Sequence, residues 1–157
     1  VTIIRAAVVI GSGSASFEII EHLVKRLPII PIPHWAKNNN CQPIAIRDVI
    51  KYLVGVLEIS ETSGKSFDIG CDSTMTYYMM LKMFADVHNL KRVFLPIPIS
   101  HIGLYSYTAS LLTPVPAPIT RCLLEGLKNI VVCQNNTIKE HLPFKRNFRG
   151  GLFVLFG

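Results

Sequence analysis

The sequence predicts an α/β layered fold on three observations: apolar, β-rich runs recur, each leads into a helical pattern, and this strand-then-helix order repeats three times. The first run, Val1 to Ile10, is β-branched and almost continuously apolar, as a strand covered on both faces should be. It ends in Gly11-Ser12-Gly13-Ser14-Ala15-Ser16, after which Phe17, Ile20, Val24 and Leu27 recur at helical spacing until Pro28 stops the pattern. Glu18 and Glu21 stand early in that helix and Lys25 and Arg26 late, the order that complements its dipole. Ile29-Ile30-Pro31-Ile32-Pro33 must be extended, because each proline fixes its own φ and disfavours α for the residue before it; an edge strand or wall segment follows.

The second unit opens after the polar loop Lys37-Asn38-Asn39-Asn40. Pro43 to Ile46 is a short strand, and Asp48 is expected to cap a helix carrying Val49, Leu53, Val56 and Leu57. Glu61-Thr62-Ser63-Gly64-Lys65 is a turn. Ser66 to Gly70 is the third strand, Thr74 or Thr76 opens a helix through Val87, and Val93-Phe94-Leu95 is a further extended segment. From Ile97 to Ile119 the composition changes: Pro98, Pro114, Pro116 and Pro118 bound a short apolar helix expected between Ser100 and Thr113.

A chain of 157 residues suits one domain of ordinary size and buries roughly two-thirds of its unfolded surface, so it needs no disulfide or metal staple. Half the residues are apolar, 17% are charged against about 25% in typical usage, and the mean hydropathy is +0.39, which excludes a disordered chain. Such a surplus of apolar residues points to an interface for a partner, another copy, a ligand or a lipid surface. The stretch from Val93 to Thr120 has no Lys, Arg, Asp or Glu, yet Pro98 and Pro114 leave too few residues between them to span a bilayer at about 1.5 Å each. No signal peptide pattern opens the sequence, so the expectation is a cytoplasmic chain or the remainder of a longer cytoplasmic protein.

The net charge of +6 is unevenly placed. Residues 1–86 hold eight basic and eight acidic side chains, leaving eight of the sixteen basic and two of the ten acidic ones for residues 87–157. The tightest basic cluster is Lys139, Lys145, Arg146 and Arg149, which reads as a solvated tail; no zinc-finger, RNA-binding or helix-turn-helix pattern supports a nucleic-acid partner. Cys41, Cys71, Cys122 and Cys133 form no C-x-x-C, and His22, His34, His88, His101 and His141 share no ligand spacing, so neither a disulfide framework nor a metal site is expected. Asn135-Asn136-Thr137 matches a glycosylation acceptor only in letters.

Two motifs carry candidate chemistry. The loop Gly11 to Ser16 follows a strand and opens a helix, as a dinucleotide fingerprint does, but Ser16 stands where the third glycine should be and no acidic residue ends a second strand. It reads equally as an anion-binding helix start, with the hydroxyls of Ser12, Ser14 and Ser16, and as a plain capped turn. Tyr78 and Lys82 have Y-x-x-x-K spacing, which sets a phenol and an ammonium one turn apart, but Met79, Met80, Met83 and Phe84 crowd that helix and favour packing over acid–base work. His34-Trp35 reads as a ligand wall or, more simply, as a packed aromatic beside a surface imidazole.

The ordered set Thr2 to Ala7, Gly11 to Phe17, Gln42-Pro43-Ile44, Asp48-Val49, Phe67-Asp68-Ile69-Gly70, Thr113 to Ala117 and Leu124 to Lys128 resembles the second half of an atypical or extended short-chain dehydrogenase/reductase, the nucleoside-diphosphate-sugar epimerase-like, NAD(P)-binding branch. The resemblance covers most of residues 1–144. It implies part of a Rossmann-type layered fold in residues 1–92 and a proline-rich, mainly helical substrate or cap portion in 93–144; the tail, basic then apolar, in 145–157 departs from the family. It also implies that the glycine-rich cofactor-binding βαβ units and the catalytic Tyr-Lys pair lie upstream of Val1, so that this chain carries no catalytic residue and Tyr78 and Lys82 stand in the wrong place. In the parent protein that tyrosine exchanges a proton with a carbonyl or alcohol while NAD(P) carries hydride.

Carried over by position, Ala6, Ala7 and Val8 run past the nicotinamide, and Ser12, Ser14, Phe17 and Gln42 face a small-molecule substrate. Cys71 departs from the family's usual second glycine after Gly70. The implied partner is the cofactor-binding portion or another copy, and no dinucleotide is expected to bind this chain tightly. The alternative is a non-catalytic module that docks a protein or an anionic membrane surface through residues 93–120 and the basic tail.

Overall fold

The computed structural model describes residues 1–98, 102–126 and 128–142. In chain order the elements are β1 (Ile3–Ala6), β2 (Val9–Ile10), α1 (Ala15–Arg26), β3 (Ile29–Pro33), α2 (His34–Asn38), β4 (Asn40–Cys41), β5 (Ile44–Ala45), α3 (Ile46–Gly55), a 3₁₀ turn (Ser60–Thr62), β6 (Ser66–Ile69), β7 (Met75–Thr76), α4 (Tyr77–Val87), β8 (Val93–Ile97), α5 (Ile102–Leu112), α6 (Ala117–Gly126) and α7 (Ile138–His141). The α/β class is as predicted, and α5 lies within the bounds expected for the apolar helix. Lys145, Arg146, Arg149 and the tail 145–157 lie outside the described residues. No described helix is long and apolar enough to cross a membrane.

The chain forms two compact units interleaved along the sequence. One comprises Val1–Gly11, Gln42–Thr74 and Val131–Gly157. Here β1 pairs in parallel with β6, from Ile3 opposite Ser66 to Ala6 opposite Ile69, and β2 pairs in parallel with β5. The expected single strand from Val1 to Ile10 is therefore broken, because the chain changes ladder partner at its middle: the Ala7 N–H donates to the Ile69 carbonyl of β6, and the Val8 carbonyl accepts from Ile44 N–H of β5. Nor is β1 covered on both faces, since Ile3, Arg5 and Ala6 are exposed. The core of this unit joins Ile44, Tyr52, Phe67, Ile69 and Ile138, with Val9, Val49, Val56 and Leu142 packed around them. Asp48 is not the cap of α3. Strand β5 runs straight into that helix, Ala45 occupies the cap position, and Asp48 sits in the first turn, where its charge still favours the dipole and it pairs with Lys51 at 3.2 Å.

The other unit comprises Ser12–Cys41 and Met75–Ile130. β3 and β8 pair in parallel with Ile32 opposite Pro96; three prolines fit this ladder because a two-stranded edge leaves positions whose missing N–H is not required. Arg92 ties the start of β8 to the end of α1, its Nε and Nη2 donating to the Val24 and Lys25 carbonyls that the helix itself leaves unpaired. Of the two candidate threonines, Thr76 caps α4, its hydroxyl accepting from Met79 N–H at 3.2 Å. Phe84, fully buried on α4, meets Phe17 edge-to-face at 5.9 Å and stacks on His88 at 4.2 Å.

Phe84→Ala removes both ring contacts and leaves a cavity where the buried ring stood. The expected loss is about 3–5 kcal/mol in urea unfolding; a loss under about 1 kcal/mol would show that α4 is not packed as described.

Candidate functional site

In the first unit the parallel pair β1 and β6 ends at Ala6 and Ile69, the side of a parallel pair on which ligands bind, with Ala7, Val8 and Gly70 just beyond; Gln42, which precedes β5, lies against Gly70. Ala6 is exposed, Ala7 half-buried and Val8 buried, so the small side chains at the strand end leave the backbone approachable. Gln42 is buried, and both ends of its amide are engaged: Nε2 donates to the Cys71 carbonyl at 3.0 Å, and Oε1 accepts from Cys133 N–H at 2.6 Å. Its own N–H donates to the Val131 carbonyl. One side chain thus fixes the loop after β6 and the segment from residue 131 against the start of β5.

Glycine is required at position 70 by close approach, since a Cβ there would lie 2.8 Å from both Cys133 Sγ and Gln42 Cβ. Cys71 needs no glycine. Its φ is not in the left-handed region, its N–H donates to the Pro43 carbonyl, and its thiol donates to the Ser73 carbonyl at 2.7 Å. The sequence departure at Cys71 therefore leaves this loop unstrained.

Beside this end lies an interaction that the sequence reading did not single out. The Asp68 carboxylate, on β6, accepts from Arg5 Nε at 2.7 Å with one oxygen and from the Gln134 and Asn135 N–H groups at 2.9 Å with the other. Burial alone would raise its pKa, but the two backbone donors and the Arg5 guanidinium together hold the carboxyl below its ordinary value. Asn135 adds a bond from Nδ2 to the Ser66 carbonyl. A buried acid in a strand was the available signal; its donors come from a loop almost seventy positions away, which spacing does not reveal.

In the second unit Ser12 is exposed and Ser14 caps α1 without a side-chain cap bond. Gly13 takes φ +82°, and its N–H donates to the Glu18 carboxylate at 3.4 Å, so an acidic side chain already occupies the approach that an anion would use. Phe17 packs on Phe84.

Nearby on α2 and α4, the Trp35 and Tyr77 rings meet edge-to-face at 6.3 Å, and neither the buried indole N–H nor the buried Tyr77 hydroxyl has a hydrogen-bond partner among the described residues. Burial, with the neighbouring Cys41 thiol, pushes the Tyr77 pKa well above the usual tyrosine value, so this phenol stays protonated and keeps a proton to donate. His34 is exposed beside it, so the wall reading of His34-Trp35 falls on Trp35. Tyr78 packs edge-to-face on Phe94 at 5.5 Å, with Lys37 Nζ 5.6 Å from its ring centre, and shares with Lys82, Asp86 and Lys91 the lining of an open cleft of about 770 Å³. Among the described residues no group of three His, Cys, Asp or Glu side chains is placed to hold a metal, and the four cysteines are free thiols.

No family model matches the sequence, and no curated protein matches it. Solved structures do. A nucleoside-diphosphate-sugar epimerase from Staphylococcus aureus superposes with a TM-score of 0.66 at 10% identity, over 96% of this chain and 50% of that one. The dTDP-4-dehydrorhamnose reductase from Bacillus anthracis, in complex with NADP, gives 0.63 at 14% identity over 98% and 46%. UDP-glucose 4-epimerase from Thermotoga maritima, with UDP-glucose, gives 0.59 at 16% identity over 98% and 43%. The chain spans half or less of the length of these structures. It shares their α/β fold with parallel strands, as the resemblance in sequence motifs implied.

Asp68→Asn should lower stability at neutral pH and flatten the acid limb. A carboxyl whose pKa is depressed on folding contributes stability above its unfolded pKa and loses it as pH falls through the folded one, so the wild-type chain should weaken below about pH 4 and the variant should weaken less there. Equal acid limbs in urea melts of the two proteins would rule out this role. Gln42→Leu, which strands the Cys133 N–H and the Cys71 carbonyl, should cost about 1–3 kcal/mol; a cost within error of zero would mean that the amide holds neither loop.

Proposed function

We propose that this chain is the substrate-side part of an NAD(P)-dependent epimerase- or reductase-like protein. The observation that carries the reading is the likeness over nearly all of the chain to under or about half of each such structure. In this reading Ala6, Ala7 and Val8 border the nicotinamide, and Gln42 shapes the substrate edge of the same strand ends. Ser12, Ser14 and Phe17 are assigned to substrate on the motif Gly11 to Phe17 alone.

The residues present fit one end of the cofactor and not the other. Exposed Ala6 and half-buried Ala7 offer a flat strand end to a ring. The pyrophosphate, by contrast, needs a helix start with free N–H groups, and at Gly13 the Glu18 carboxylate both takes the N–H and repels a phosphate. Bound NAD(P) supplies hydride exchange. What this chain's residues supply is placement: Gln42 holds the loop after β6 and Cys133, Asp68 holds Gln134 and Asn135, and Val8 is buried beneath them. Tight dinucleotide binding and the proton-transferring tyrosine belong to a cofactor-binding portion that completes the site.

The test is NADPH binding to the chain by itself, followed by amide NMR shifts and by thermal unfolding. Perturbations centred on Ala6, Ala7 and Val8 with a Kd of about 1 mM or weaker, and no thermal stabilisation at micromolar NADPH, are expected. Clear stabilisation at micromolar NADPH, or shifts that avoid those three residues, would overturn the reading.

A further inference from the structure

The Tyr78–Lys82 pair, set aside above as an acid–base motif, has another use in the structure. One turn apart on α4, the two side chains line the same open cleft of about 770 Å³, a volume in the range of small-molecule sites. Leu90, Val93 and Phe94 give the cleft an apolar wall, and Lys82, Lys91 and Arg92 supply three cations against the single carboxylate of Asp86.

These charges are not matched within the chain. Lys82, Lys91 and Asp86 are exposed and make no ion pair among the described residues. Nor are the lysines needed to close α4, whose last carbonyls accept from backbone N–H groups: Phe84 from His88, Ala85 from Leu90 and Asp86 from Asn89. Arg92 donates to the carbonyls of Val24, Lys25 and Lys91, which fix its guanidinium in place and leave its charge unneutralised. Lys37 adds a further cation 5.6 Å from the Tyr78 ring centre.

Three cations less one carboxylate leave a lining charge of +2. A carboxylate ligand neutralises half of that charge. A phosphate monoester, at about −1.5 to −2 near neutral pH, matches it, and the apolar wall suits the organic body of the ester. We propose that this cleft binds a phosphate monoester with an apolar or aromatic body, its phosphate drawn to Lys82, Lys91 and Arg92 and its body laid against Phe94. Because the lysines are exposed, binding is expected to be weak and salt-sensitive, with a Kd of about 0.1–1 mM at low ionic strength. The inference is independent of the cofactor reading: the cleft is built within the second unit and Ala6 to Val8 lie in the first, so different amides report on the two.

The test is titration of the full chain with phenyl phosphate, followed by amide NMR shifts at about 20 and about 200 mM salt, with inorganic phosphate and phenol as the separate parts. Shifts centred on Lys82, Lys91 and Phe94 are expected, stronger in affinity for the ester than for either part and weakened by salt. The double variant Lys82→Gln/Lys91→Gln should weaken binding at least about fivefold, and Asp86→Asn, which removes the opposing charge, should tighten it about two- to fivefold. Both variants change exposed side chains, and unchanged spectra elsewhere check that they fold. No shifts at these residues by about 10 mM ester, either part binding as tightly as the whole, indifference to the double lysine variant, or weakening by Asp86→Asn would each overturn the proposal.

Discussion

The Asp68 carboxylate is the constraint on which the strand-end arrangement of the first unit depends. A carboxylate taken out of water is costly unless its lone pairs are filled, and this one is met by two backbone N–H groups and a guanidinium. The consequence is geometric. Residues 134 and 135 belong to no strand, yet they are fixed to β6 by this carboxylate together with the Asp68 N–H, which donates to the Asn135 carbonyl at 2.8 Å, and through Arg5 the same charge ties β6 to β1. Because Arg5 is itself largely exposed, the backbone donors outweigh it as the source of rigidity.

Gln42 does with a neutral group what Asp68 does with a charge. Its amide has a donor end and an acceptor end, and each bonds a different loop. Gly70 is then forced: three backbone segments converge so closely there that a methyl group has no room. The exposed Ala6, the half-buried Ala7 and the ladder switch at Ala7 and Val8 follow from the same convergence, since β1 hands the chain on from β6 to β5 where these loops meet. What results is a strand end with small side chains above buried Val8.

How much of this was legible depended on whether the signal was local. The first helix and its stop at Pro28 and the extended proline strand are decided by neighbours within a turn or two, and the sequence reading located them; for the cap of α4 it left Thr74 and Thr76 open, and the structure has Thr76. The break in the first strand was not legible, because an apolar run of ten residues says nothing of which partner it pairs with. Asp48 misled for a related reason: an acid before an apolar pattern looks like a cap, but β5 enters α3 with no loop to hold one. Among the site residues, Gln42 stood out only through its motif, and its two loop contacts, one of them 91 positions distant, required the fold. Trp35 was visible as an aromatic, while its edge-to-face contact with Tyr77 was not.

The most direct measurement of the central claim is native-state hydrogen exchange at the Cys133, Gln134 and Asn135 amides. If the Gln42 amide and the Asp68 carboxylate hold this segment, all three should exchange far more slowly than an unstructured peptide, and the last two should lose protection together as acid protonates Asp68. Exchange of these amides at unstructured rates near neutral pH would contradict the account.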